Sequence, residues 1–254
     1  MVYFIGAGPG DKELITVKGQ KLLFEADCII YAGSLVNPEL LDYARSGCEF
    51  FDSAKMTLEE VIEIMLKNER RGQITVRLHT GDPSLYGAIK EQIDILVQNG
   101  VAYEVIPGVS SFSGAAAVLS AEYTLPGISQ TVILTRMEGR TPVPERESIA
   151  QLAKIGASMA IFLSSGMLKE LSEKLMDGGY SKDTPAAIVY KATWPDEKII
   201  RTTIEALSEA GAENNISKTA IILVGDFLGG EYERSLLYHP EFTHGYRTGR
   251  SGDE

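Results

Sequence analysis

The chain is short of the side chains on which most metal and hydrolytic sites depend: its 254 residues hold two cysteines and three histidines. Cys28 and Cys48 lack metal-ligand spacing, and no Cys/His set matches a zinc site, so no bound metal is expected. The Ser110-Ser111 pair is not set in a G-x-S-x-G elbow, and no G-x-x-x-x-G-K-[ST] phosphate loop occurs. Positive charge is also scarce. Lys and Arg number 24 against 35 Asp and Glu, a formal net charge of −11, so no basic face for nucleic acid is expected. No apolar run approaches the ~20 residues that span a bilayer, and no membrane partner is expected. Few cysteines, with no hydrophobic leader before Met1-Val2-Tyr3-Phe4-Ile5, give the expectation of a cytoplasmic protein.

What is present is an ordinary globular composition, 44% hydrophobic and 23% charged, arranged as alternating strands and helices. Val2 to Ile5 reads as a buried strand, Leu14 to Glu25 as a helix and Cys28 to Tyr31 as the next strand. A second helix is expected over Pro38 to Ser46. Met56 to Arg70 carries Leu58, Val61, Ile62, Met65 and Leu66 on one helical face behind a Thr57/Glu60 capping box. A strand over 73–78, a helix bearing Leu85, Ile89, Ile93 and Leu96, a strand over 102–106 and a small-residue helix near Ser113 to Leu119 follow. Pro126-Gly127 lies in an aperiodic stretch, Ser120 to Ser129, which marks a domain boundary. Beyond it the pattern repeats as strands over 131–135, 158–163, 186–190, 197–203 and 218–224 with helices between. The Lys191 to Glu197 connection is too short for a helical crossover, so its flanking strands should pair antiparallel. The expected fold class is α/β: two α/β domains, the N-terminal one (1–120) on a mainly parallel sheet and the C-terminal one (121–228) on a mixed sheet. A cleft is expected between them. A polar tail, 229–254, with Gly245, Gly249 and Gly252, should be partly flexible.

Three strands end in turns of one kind: Gly6-Ala7-Gly8-Pro9-Gly10-Asp11, Thr80-Gly81-Asp82-Pro83 and Pro107-Gly108-Val109-Ser110-Ser111. Asp82 and Pro83 suit a helix start, and the carboxyl ends of strands in an open α/β sheet are where ligands bind. The opening turn fails as a dinucleotide fingerprint, because Asp11 stands where the third glycine belongs. Asp27 also precedes the second strand, while the ribose-binding acid ends it. A site of glycine, small residues and backbone suits a reaction whose cofactor is already activated. Methyl transfer from a sulfonium is one such reaction, since aligning donor and acceptor supplies much of the acceleration.

These three motifs, in this order, resemble the tetrapyrrole (corrin/porphyrin) methyltransferases, and the resemblance covers about residues 2–228. It implies S-adenosyl-L-methionine as cofactor, a tetrapyrrole as small-molecule substrate and a homodimer. Tyr31-Ala32-Gly33-Ser34-Leu35-Val36 and the loop from Arg136 to Glu147 look closest to the branch that methylates carbon eleven of precorrin-4 or its cobalt form. The uroporphyrinogen branch has an acidic residue where this chain has Ala32-Gly33. By the resemblance, Thr80, Gly81, Asp82, Leu85, Ser110, Ser111, Leu163, Ala187 and Ala192 would shape the donor site. The opening loop would face the tetrapyrrole, which makes Pro9 and Asp11 substrate-side candidates. Arg136, Arg140, Arg146 and Lys55 would form a basic rim for its carboxylates, since arginine grips carboxylates in a bidentate fork. Tyr86 and His79 are the candidates for a general base.

Overall fold

The computed structural model describes residues 1–33 and 35–249, so Ser34 and residues 250–254, Gly252 among them, lie outside the described residues. The chain forms two compact units, Met1–Val118 with Lys191–Lys198, and Leu119–Tyr190 with Ile199–Glu254.

In the first unit the elements run β1 (Val2–Gly6), α1 (Val17–Glu25), β2 (Cys28–Tyr31), β3 (Glu49–Asp52), α2 (Leu58–Glu69), β4 (Thr75–His79), α3 (Ile89–Gln98), β5 (Tyr103–Ile106) and α4 (Ser111–Leu119). The strands lie in the order β3-β2-β4-β1-β5, and every neighbouring pair is parallel. Period-two alternation sorts their side chains. Ile5, Ile29, Val76 and Leu78 face Leu22 and Leu23 of α1, while Val2, Phe4, Cys28 and Ile30 face Val61, Ile62 and Met65 of α2 and Leu96 of α3. Each such buried aliphatic side chain stabilises the fold by about 1.5–3 kcal/mol. The crossover after β1 therefore packs on one face and that after β4 on the other. Since β1 and β4 are neighbours, their carboxyl ends form a topological switch point.

The second unit holds β6 (Val132–Arg136), α5 (Ile149–Ala153), β7 (Ser158–Phe162), α6 (Leu168–Asp177), β8 (Pro185–Tyr190), β9 (Lys198–Thr203), α7 (Leu207–Glu213) and β10 (Ala220–Val224). Its sheet, in the order β6-β7-β10-β8-β9, is mixed as expected: β6 and β7 run parallel, and β10 is antiparallel to both β7 and β8. Leu168, Leu171 and Leu175 of α6, with Ile149 and Leu207, close one face over Met159, Ile161, Ile188 and Ile222.

The structure departs from the sequence reading at four places. Glu49–Asp52 adds an unexpected edge strand, β3, whose Phe50 is exposed. Pro38–Tyr43 is a 3-10 helix capped by Asn37, not a longer α-helix. The helix after Gly-Asp-Pro starts only at Ile89, because Tyr86 and Ala88 adopt left-handed backbone (φ 56° and 49°). Lys191–Lys198, read as a link within the second half, packs with the first unit. The tail described as far as residue 249 is organised by Arg247, which donates to the carbonyls of Leu237 (2.9 Å), His239 (2.7 Å) and Phe242 (3.3 Å). The Thr57/Glu60 capping box forms as the sequence predicts.

Candidate active site

At the switch point three turns meet backbone against backbone. Ala7 N–H donates to the His79 carbonyl at 2.7 Å, and Gly8 and Gly81 exchange a pair of hydrogen bonds (3.3 and 2.9 Å) that prolongs the pairing of β1 with β4 past their ends. No room is left for side chains. A Cβ on Gly108 would lie 2.2 Å from the Gly81 carbonyl oxygen and 2.7 Å from Gly6 Cα, and one on Gly6 would lie 2.5 Å from Gly108 Cα. The glycines are thus required by close approach.

Asp82 binds two of these turns together. One carboxylate oxygen accepts the Gly108 N–H at 2.8 Å; the other accepts the Ser84 N–H at 2.8 Å and the Ser84 hydroxyl. Partial burial pushes its pKa up, but the Ser84 hydroxyl and the two N–H donors outweigh that and hold the carboxyl below its ordinary range. The expected helix cap does not exist, since residues 83–86 are a turn and the helix starts at Ile89. Ser110 Cα and Ser111 N lie 3.6 and 3.5 Å from where a Gly81 side chain would begin. Ser110 is 6% exposed. Thr80 is exposed and Leu85 half-buried beside them. Thr80, Gly81, Asp82, Leu85, Ser110 and Ser111 are therefore brought together, as the sequence predicts.

The other candidates divide. Ala192 belongs to the first unit, and its carbonyl oxygen lies 2.8 Å from where a Gly10 side chain would begin. Leu163, just after β7 in the second unit, is 66% exposed with left-handed backbone (φ 52°), a strained apolar residue of the kind found at binding sites. Ala187 is wholly buried in β8 opposite Leu223. Arg136, a rim candidate, also braces its own loop. Its guanidinium donates to the carbonyls of Met137 (3.0 Å), Thr141 (3.2 Å) and Pro142 (2.8 Å), stapling its own loop. Arg146 pairs with Glu147 at 3.4 Å, while Arg140 and Lys55 are exposed.

His79 is a poor base. Its ring stacks on Phe4 with centroids 6.0 Å apart, and burial, helped by the Arg77 charge, pushes its pKa down to about 3. Tyr86 is half exposed at the end of the Gly-Asp-Pro turn.

Four positions escaped sequence reasoning. Asp52 of β3 accepts the N–H groups of Gly33 (2.9 Å) and Ala54 (3.0 Å), and its carboxylate fills the space a Gly33 side chain would need. Asn37, Thr193 and Trp194 hold the opening loop. Asn37 and Thr193 carry no local motif. A lone tryptophan in a short connection was the one available signal, and nothing in its neighbours says what it covers. Among the described residues no group of three or more His, Cys, Asp or Glu side chains could hold a metal, and no helix is long and apolar enough to cross a membrane.

Comparison with known proteins agrees with this geometry. The family model described as Tetrapyrrole (Corrin/Porphyrin) Methylases matches residues 1–208. A cobalt-precorrin-4 C(11)-methyltransferase of Methanocaldococcus jannaschii is 53% identical over 97% of this chain and 95% of its own. The crystal structure of a cobalt precorrin-4 methyltransferase, CbiF, superimposes with a TM-score of 0.88 at 52% identity, covering 90% of this chain and 96% of that one. Uroporphyrin-III C-methyltransferase of Thermus thermophilus, complexed with S-adenyl homocysteine, matches with a TM-score of 0.76 at 26% identity over 90% of this chain and 93% of its own. The chain thus belongs to the tetrapyrrole (corrin/porphyrin) methylase family.

Proposed function

We propose that the protein is an S-adenosylmethionine-dependent C-methyltransferase that methylates carbon eleven of precorrin-4 or its cobalt form in cobalamin biosynthesis. The observation that carries this reading is the convergence of Asp82 and Ser110 on the interlocked glycine tips. A donor fits there on two grounds: the tips stand at the carboxyl ends of neighbouring parallel strands at the switch point, and the Asp82 carboxylate beside them keeps lone pairs for a ligand. Thr80, Gly81, Asp82, Leu85, Ser110 and Ser111 would hold it, with Ala192 beside the opening loop. When bound, the donor would supply an electrophilic methyl on a sulfonium, with a neutral thioether as the leaving group.

The chain's own residues bind and orient. Asp82 stays ionised at neutral pH and keeps lone pairs for a hydroxyl or ammonium beyond those taken by Gly108 and Ser84. Because the tips are locked backbone to backbone, they need no rearrangement to receive the ligand. Pro9 and Asp11 face the acceptor on this reading, Lys55, Arg140 and Arg146 meet its carboxylates, and Tyr86 replaces His79 as the group near a departing proton. The protein works as a homodimer on the same reading.

The test is incubation with methyl-labelled donor and, separately, precorrin-4, cobalt-precorrin-4 and uroporphyrinogen III. Label at C-11 of either of the first two is the expected result. Label in uroporphyrinogen alone, or none at all, overturns the proposal.

A further inference from the structure

The opening loop is held from outside at three consecutive backbone groups. The Trp194 indole N–H donates to the Pro9 carbonyl at 3.0 Å, the buried Asn37 amide donates to the Gly10 carbonyl at 2.9 Å, and the Asp11 N–H donates to the Thr193 hydroxyl at 3.0 Å. Shape completes the grip. A side chain on Gly10 would begin 2.1 Å from Trp194 Cδ1, and one on Gly114 of α4 would begin 2.8 Å from Pro9 Cβ, so the loop is slotted between α4 and the indole. Surface loops ordinarily give such groups to water.

The segment that supplies the grip is itself under strain. Lys191 and Thr193 are non-glycine residues with φ of 47° and 69°. Each such position costs on the order of 1–3 kcal/mol and persists only when its surroundings over-determine it. Here the bracing is visible. Thr193 N–H donates to the Glu197 carboxylate at 2.5 Å, Trp194 N–H donates to the Lys191 carbonyl at 3.0 Å, and the Lys191 ammonium lies 5.0 Å from the centre of the indole and 2.6 Å from Asp196. A plain connection between β8 and β9 needs none of this. The strain is spent on aiming Thr193 and Trp194 at the loop.

We propose that the Lys191–Lys198 turn is a positioning device, in which Trp194 and Thr193 fix the Pro9-Gly10-Asp11 backbone in the conformation that receives the tetrapyrrole. The role assigned to the loop rests on the function proposed above; the grip itself does not. Trp194 and Thr193 are positioning residues that act through the loop.

Trp194→Phe keeps an aromatic ring over Gly10 and removes the donor to Pro9, while Thr193→Val keeps the shape and removes the acceptor of the Asp11 N–H. Hydrogen exchange of the Asp11 amide in the ligand-free protein should quicken at least ~10-fold in both, with Phe4 in β1 unchanged. In methyl-transfer assays, KM for the tetrapyrrole should rise ~10-fold with kcat and the affinity for S-adenosylhomocysteine within about threefold of the parent. A purely structural role would lower the melting temperature and the active fraction and leave KM alone. Unchanged Asp11 exchange overturns the grip, and quickened exchange with unchanged KM overturns the positioning role. If the parent transfers no methyl group, the functional reading fails while the exchange result still decides the grip. Should Trp194→Phe not fold, Thr193→Val carries both measurements.

Discussion

The turn tips after β1, β4 and β5 are fixed by backbone meeting backbone, whereas the loop after β6 is fixed by one side chain, Arg136, reaching back to three carbonyls of its own segment. The first arrangement leaves side chains free for ligand and tolerates no substitution at the glycines. The second commits guanidinium N–H donors that a substrate carboxylate would otherwise use. A motif made of absent side chains can be read directly, because glycine permits what nothing else does. A motif made of charges cannot be read until their partners are known.

The contrast breaks first at Gly108. A methyl there meets the Gly81 carbonyl and Gly6, so Gly108→Ala should cost more than about 3 kcal/mol in urea unfolding, while Gly230→Ala, with open space around it, should stay within about 0.5 kcal/mol. Equal small losses would mean the tips are not locked. The next effect lies at the end of β4. Burial, with the Arg77 charge adding to it, depresses the folded-state pKa of His79 from 6.5 to about 3, so the unfolded imidazole binds a proton that the folded one refuses. Stability should therefore fall as pH drops from about 6.5 toward 3, by roughly 2–3 kcal/mol from this group between pH 7 and pH 4. Urea midpoints at those two pH values should differ less in His79→Leu than in the parent.

Arg136→Ala removes three charged-donor hydrogen bonds from a half-exposed loop and should cost about 2 kcal/mol, read by thermal melting. Arg140→Ala should change stability by less than about 0.5 kcal/mol and act, if at all, on KM for the tetrapyrrole. A reversed order, with Arg140 structural and Arg136 kinetic, would restore the original view of the rim.

How much of this was legible depends on the range of the interaction. The period-two and helical patterns name the strands of both sheets apart from β3, and the Thr57/Glu60 box marks its helix, because local residues decide those elements. The three glycine turns were legible for the same reason. Asp82 was legible as important while its reach to Gly108 was not, since a helix cap and a turn look alike until the left-handed backbone at Tyr86 and Ala88 is seen. Ala187 looked available because a small residue in a strand does not declare which neighbours bury it. Asn37, Asp52 and Trp194 were invisible because their partners lie 27, 19 and 185 positions away.

The most direct test of the central claim, that the interlocked tips hold the methyl donor, is calorimetric titration of S-adenosylhomocysteine into the parent and Asp82→Ala. The account predicts binding to the parent and a loss of at least ~10-fold in the variant, a larger effect than any change in its folding stability implies. Equal affinity in a folded Asp82→Ala protein, or no binding to the parent, would contradict it.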